Sequence, residues 1–189
     1  PDVPPASVVA AADREGLGDV LEATVLRAAL ALPDRPPGTE LHVRVGTSSL
    51  ASDRFWEAVP ERLDGVVLEV QHRVGSGEAV QRRLGRLRER GARLAVGQVG
   101  GSGGEADRLR HVPADVVAID PHLAAGCADD ADAVPVLRAL VELAHGRGAT
   151  VRADGVTRPE DRAVLAEVGV DLFADDDART VRRGGRVLR

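Results

Sequence analysis

Apolar residues recur along this chain in two rhythms, one of three to four residues and one of two, and their alternation predicts a succession of helices and strands. Helical spacing runs over residues 7–32, where Gly16 and Gly18 break it into a short helix and a longer one starting near Asp19. After a loop at 33–38, residues 41–45 alternate as a strand should, and a helix is predicted over 52–62 with Ser52 placed to cap it. The continuous apolar run at 65–70 (GVVLEV) predicts a buried strand, 77–90 an amphipathic helix stopped at Gly91, and 92–96 the next strand. A glycine-rich loop at 97–104, a short helix at 105–111 and a strand at 115–119 follow. A helix at 134–147, a strand at 149–153, a helix at 159–168 and a strand at 170–173 complete the series.

Six strands alternating with helices imply βα units and a parallel sheet. The pattern alone leaves open a doubly wound sheet or part of a (β/α)8 barrel. Residues 180–188 (TVRRGGRVL) predict a hairpin, because a Gly-Gly turn takes positive φ freely; such a hairpin covers a sheet edge.

Composition narrows the chemistry. The 189 residues are 43% apolar, enough for a single domain over 1–189 with its own core, and a chain starting at Pro1 is expected to be part of a longer protein. All 25 basic residues are arginine, and Lys, Asn, Tyr and Met are absent, which excludes lysine Schiff bases, P-loop lysines and Asn ligands. Cys127 is the one cysteine, so disulfides within the chain and thiolate zinc sites are excluded and a reducing cytoplasm is expected. A net charge of −5, three aromatics and dispersed arginines argue against a nucleic-acid polymer; the cluster from Arg82 to Arg93 reads as a solvated helix face. No run is long enough to insert in a membrane.

In parallel α/β folds chemistry gathers at the carboxyl ends of strands. Those positions hold Arg44 and Gly46, Glu69 and His72, Gly97 and Gln98, Asp120, Asp154, and the run Asp175, Asp176 and Asp177. Carboxylates on successive strand ends suit a hard cation, and equally cap the next turn. The loop GQVGGSGG at 97–104 is a candidate phosphate cradle but lacks the Lys-Ser/Thr ending of a P-loop, and a flexible strand-to-helix connection is the plainer reading. Ser48 and Ser49 have no histidine nearby in sequence, and no HExxH or CxxC motif occurs.

Read in order, these segments resemble the EAL family, bacterial domains that hydrolyse cyclic di-GMP on a (β/α)8 TIM-like barrel. LHVRVGTSSL stands where the family has a strand ending in Asn-x-Ser, and VVLEVQH stands for Leu-Glu-Ile-Thr-Glu. ARLAVGQVGGSGG takes the place of the Leu-Asp-Asp-Phe-Gly-Thr-Gly loop and HVPADVVAID that of Leu-Pro-x-Asp-x-x-Lys-Ile-Asp. ATVRADGVTRPEDRAVLAEVGVD resembles Val-x-Ala-Glu-Gly-Val-Glu and its helix. The resemblance implies an EAL-type barrel, incomplete or modified at its N-terminal strands, because the segment bearing the signature Glu would precede Pro1.

It also implies a dismantled catalytic centre. The family uses two Mg or Mn ions, clamped by several acids, an Asn and a Lys, to activate water. Here Arg44 replaces the Asn, Gly97 and Gln98 replace two adjacent aspartates, Ala118 replaces the Lys, and His72 replaces an acid. Glu69, Asp120 and Asp154 remain as vestigial ligand positions. The expectation is no catalytic residue, no cofactor and no enzyme activity: a degenerate, regulatory or protein-interaction module of bacterial signalling, with a protein partner or self-association. The alternatives are a non-hydrolysing cyclic di-GMP receptor, with Arg44, Arg152, Gly100 and Gly101 as the phosphate contacts, and a residual phosphodiesterase.

Overall fold

In the computed structural model, which describes residues 3–32, 39–70, 77–101, 109, 112–174, 181–183 and 186–187, the chain divides into two units, Pro1–Arg93 and Leu94–Arg189.

The first unit opens with α1 (Pro5–Arg14) and α2 (Gly18–Leu30), separated where Gly16 turns to a φ of 65°. Strand β1 (Leu41–Val45) matches its expected bounds and pairs in parallel with β2 (Val66–Val70), with Leu41 opposite Val66 and Val45 opposite Val70. Between them the single helix expected at 52–62 is two short ones, α3 (Thr47–Ala51) and α4 (Asp53–Ala58). Ser52 divides them with an extended backbone, and its hydroxyl donates to the Asp19 carboxylate instead of capping α4. Helix α4 stops early because Val59 precedes Pro60, whose ring forces an extended ψ of 127°. Helix α5 (Glu78–Glu89) buries Leu84 and Leu87 and leaves Arg82, Arg86 and Arg88 exposed, as its spacing predicts. Trp56 donates its indole N–H to Leu50 O at 2.9 Å, and the guanidinium carbons of Arg86, Arg90 and Arg83 lie 4.6, 5.5 and 6.0 Å from its ring centroid.

Strand β3 (Arg93–Val99) leads into the second unit, which continues with β4 (Val116–Ile119), α6 (Pro121–Ala124), α7 (Ala133–Gly146), β5 (Thr150–Asp154), α8 (Pro159–Glu167) and β6 (Leu172–Ala174). Strands β3 through β6 pair in parallel, each with the next. The C-terminal residues then reverse: β7 (Val181–Arg183) runs antiparallel to β6, and β8 (Arg186–Val187) antiparallel to β7. The expected hairpin therefore exists and covers the β6 edge; its Gly-Gly turn lies outside the described residues.

Two expectations change in this unit. The loop read from Gly97 begins later, because β3 continues through a bulge between Val96 and Val99 with Gln98 at a φ of 55°. Helix α6 was not legible as a helix; it forms because the Asp120 side chain accepts the His122 N–H at 2.8 Å and Pro121 fits the first helical turn. The short helix expected at 105–111 falls outside the described residues apart from Leu109.

Fully buried side chains fill each unit: Leu26, Leu50, Phe55 and Leu63 in the first, Leu94, Ile119, Leu137 and Phe173 in the second. Each contributes roughly 1.5–3 kcal/mol of apolar transfer. Among the described residues no helix is long and apolar enough to cross a membrane.

Candidate functional site

In the first unit the relevant strand ends are those of β1 and β2. Arg44 and Glu69 are in-register partners on these strands. Glu69 belongs to a strand buried along its whole length and is only 4% exposed, so its charge requires a partner. Arg44 supplies it, Nε lying 3.4 Å from Glu69 Oε1, while two-thirds of the arginine side chain stays in water. One residue past β1, the Gly46 N–H is held by both oxygens of Glu22, at 3.0 and 2.9 Å. Burial pushes the Glu22 carboxyl above its ordinary range, against hydrogen bonds that pull it down. Its sequence signal was available: Glu22 sits beside buried Ala23 and four residues before buried Leu26, on the inward side of α2.

The second unit contributes the ends of β3, β4 and β5. Gly97 and Gln98 occupy the β3 bulge; Gly97 is buried and Gln98 exposed. Asp120, 8% exposed, is committed to capping α6 through one oxygen. Beside it, a β-carbon added at Gly101 would come within 2.6 Å of the Asp120 Cγ. Gly100, at a φ of 103°, packs in the same way on Leu123 and Leu140. These two glycines are thus required by close approach, and an anion seated over Gly101 would face a carboxylate.

Arg152 and Asp154 lie two residues apart on β5 and therefore project from one face. Arg152 is 4% exposed and its guanidinium grips Asp154 bidentately, Nε to Oδ1 at 2.6 Å and Nη2 to Oδ2 at 2.7 Å. In register, Arg152 stands between Ala118 on β4 and Leu172 on β6. His72 and the run Asp175, Asp176 and Asp177 fall outside the described residues.

Each of the three candidate acids among the described residues already has a partner within its own unit. Two of the three candidate acids are already neutralised by arginines and the third is an N-cap. At an effective dielectric of 20, a doubly charged ion 4 Å from a guanidinium is opposed by about 8 kcal/mol. Among the described residues no group of three or more His, Cys, Asp or Glu side chains could hold a metal ion.

The profile of the EAL domain matches residues 1–174. This chain belongs to the EAL domain family. A crystal structure of the Xanthomonas citri FimX EAL domain in complex with c-diGMP aligns over 100% of this EAL domain and 79% of that chain, at 18% identity and a TM-score of 0.81. The PaMucR phosphodiesterase in complex with c-di-GMP aligns over 95% of this domain and 78% of that chain, at 19% identity and a TM-score of 0.78. An uncharacterized protein of Azorhizobium caulinodans is 31% identical over 88 residues, 47% of this domain and 12% of that protein. The fold is accordingly the EAL-type TIM-like barrel in incomplete form, and it answers the choice that periodicity left open.

Proposed function

We propose that this EAL domain serves cyclic di-GMP signalling as a non-hydrolysing regulatory or protein-interaction module. The observation that carries the reading is the pairing of strand-end acids with arginines: Glu69 with Arg44 and Asp154 with Arg152. Phosphodiester hydrolysis on this fold requires several groups acting as a unit, and loss of one member of such a unit costs orders of magnitude in rate. Gly97, Gln98 and Ala118 offer neither a carboxylate nor an amine at the places where the family has them. The domain works in the cytoplasm, without Mg or Mn, through a protein partner or a second copy of itself.

A second reading, a cyclic di-GMP receptor, is favoured by one observation of its own. Arg44 presents an exposed guanidinium at the carboxyl end of β1, and arginine's fork matches a phosphate. The two similar structures are cyclic di-GMP complexes. Calorimetric titration with cyclic di-GMP and Mg, followed by chromatography of the nucleotide, separates the readings. The module reading expects no linear dinucleotide and no heat of binding. Metal-independent heat without product favours the receptor, and release of the linear dinucleotide overturns both.

A further inference from the structure

We infer that Arg152 is the resident cation of the second unit's strand ends, standing in for a divalent ion and for the amine missing at position 118. The inference rests on the non-hydrolysing reading.

An arginine whose side chain is only 5% exposed has lost almost all of its water, a cost met only by well-formed partners. Asp154 provides one through two short, parallel bonds. The alternation of β5 makes the pair local, since residues 152 and 154 share a face without help from any loop. Neighbouring strands explain why a side chain this long is accepted. Its in-register partner on β4 is Ala118, whose methyl leaves space that a lysine there would fill. Arg152 thus carries its positive charge at the level of position 118, one strand over and about 4.8 Å away. The exchange alters the chemistry. An amine can titrate and a metal ion can carry an activated water, whereas a guanidinium stays charged and holds no water for attack. Asp154 is balanced permanently, and an added cation must displace Arg152 before it can use that carboxylate.

Thermal unfolding of the whole chain tests this in the absence of nucleotide, comparing wild type, Arg152→Ala and Arg152→Ala/Ala118→Lys, with EDTA or with about 5 mM Mn, where a site of even modest affinity would raise the Tm by several degrees. The wild type is expected to show the same Tm in both conditions, and Arg152→Ala a Tm lower by roughly 10 °C. Ala118→Lys is expected to return at least half of that loss, because the charge re-enters from the adjacent strand. Should Arg152→Ala not fold, a folded double variant supports the inference and an unfolded one overturns it. A rise of several degrees with Mn in the wild type also overturns it, as does a lysine at 118 that rescues nothing, since Arg152 would then act by packing. No arm reads hydrolysis, so failure here leaves the non-hydrolysing reading to its own assay.

Discussion

Asp161 offers the sharpest test of how the second unit is held together. It sits in α8, only 2% exposed, and its carboxylate accepts the Ala128 N–H at 2.9 Å on one oxygen and the Gly126 N–H at 3.0 Å on the other. The Cys127 thiol between them donates to the Asp161 carbonyl at 3.7 Å, so one residue pins a whole turn onto α8. Hydrogen bonds to a charged group contribute about 1.5–3 kcal/mol each, so Asp161→Ala, which removes two, should cost about 3–6 kcal/mol. Asp161→Asn keeps one acceptor and turns an N–H toward the other donor, so it should cost roughly half as much. For a chain of this size, Asp161→Ala corresponds to a Tm lower by about 6–24 °C. The assay is urea unfolding followed by circular dichroism between pH 7 and 3. The Ala128 N–H first, and that of Gly126 after it, hold the Asp161 carboxyl below its ordinary 3.8. The stabilisation is therefore present in full above that value and is lost as pH falls through the lowered folded value. The gap between wild type and Asp161→Ala should be constant from neutral pH down to about 5 and close below 4. A variant within about 0.5 kcal/mol of wild type at pH 7 would refute the argument.

Two further substitutions probe the β3 bulge and the turn after it. Gln98→Gly relieves a left-handed backbone that costs an L residue about 1 kcal/mol, so urea unfolding should show a gain of about 0.5–1 kcal/mol; a loss would mean that the Gln98 side chain outweighs the strain. Gly101→Ala drives a β-carbon into the Asp120 carboxylate, so about 1–3 kcal/mol of stability should be lost, and an unchanged midpoint would show that the α6 cap yields freely.

The elements most legible in the sequence are those governed by local rules. Strand β1 shows a period of two, and β2 a solid apolar run between a glycine and polar residues, so both ends could be placed within a residue. Helix α5 announces its stop at Gly91, which takes a φ of 92°. What escaped is set by distant partners. Ser52 reads as a cap until Asp19, 33 residues earlier, claims its hydroxyl. Gly97 reads as the start of a loop because nothing local reveals that Val99 pairs with Ile119. The candidate acids could be found from strand ends alone, yet the partner of Glu69 lies on another strand and became visible only with the register. Arg152 and Asp154 are the counterexample: an i, i+2 spacing in a strand already says that they meet.

The indole of Trp56, stacked beneath Arg86 and belonging entirely to the first unit, is the chain's one tryptophan. Its emission is a built-in optical label carried by the first unit, whereas the backbone signal sums over both units. Following the two signals side by side turns any ligand or partner titration into a map of which half responds, with no dye attached.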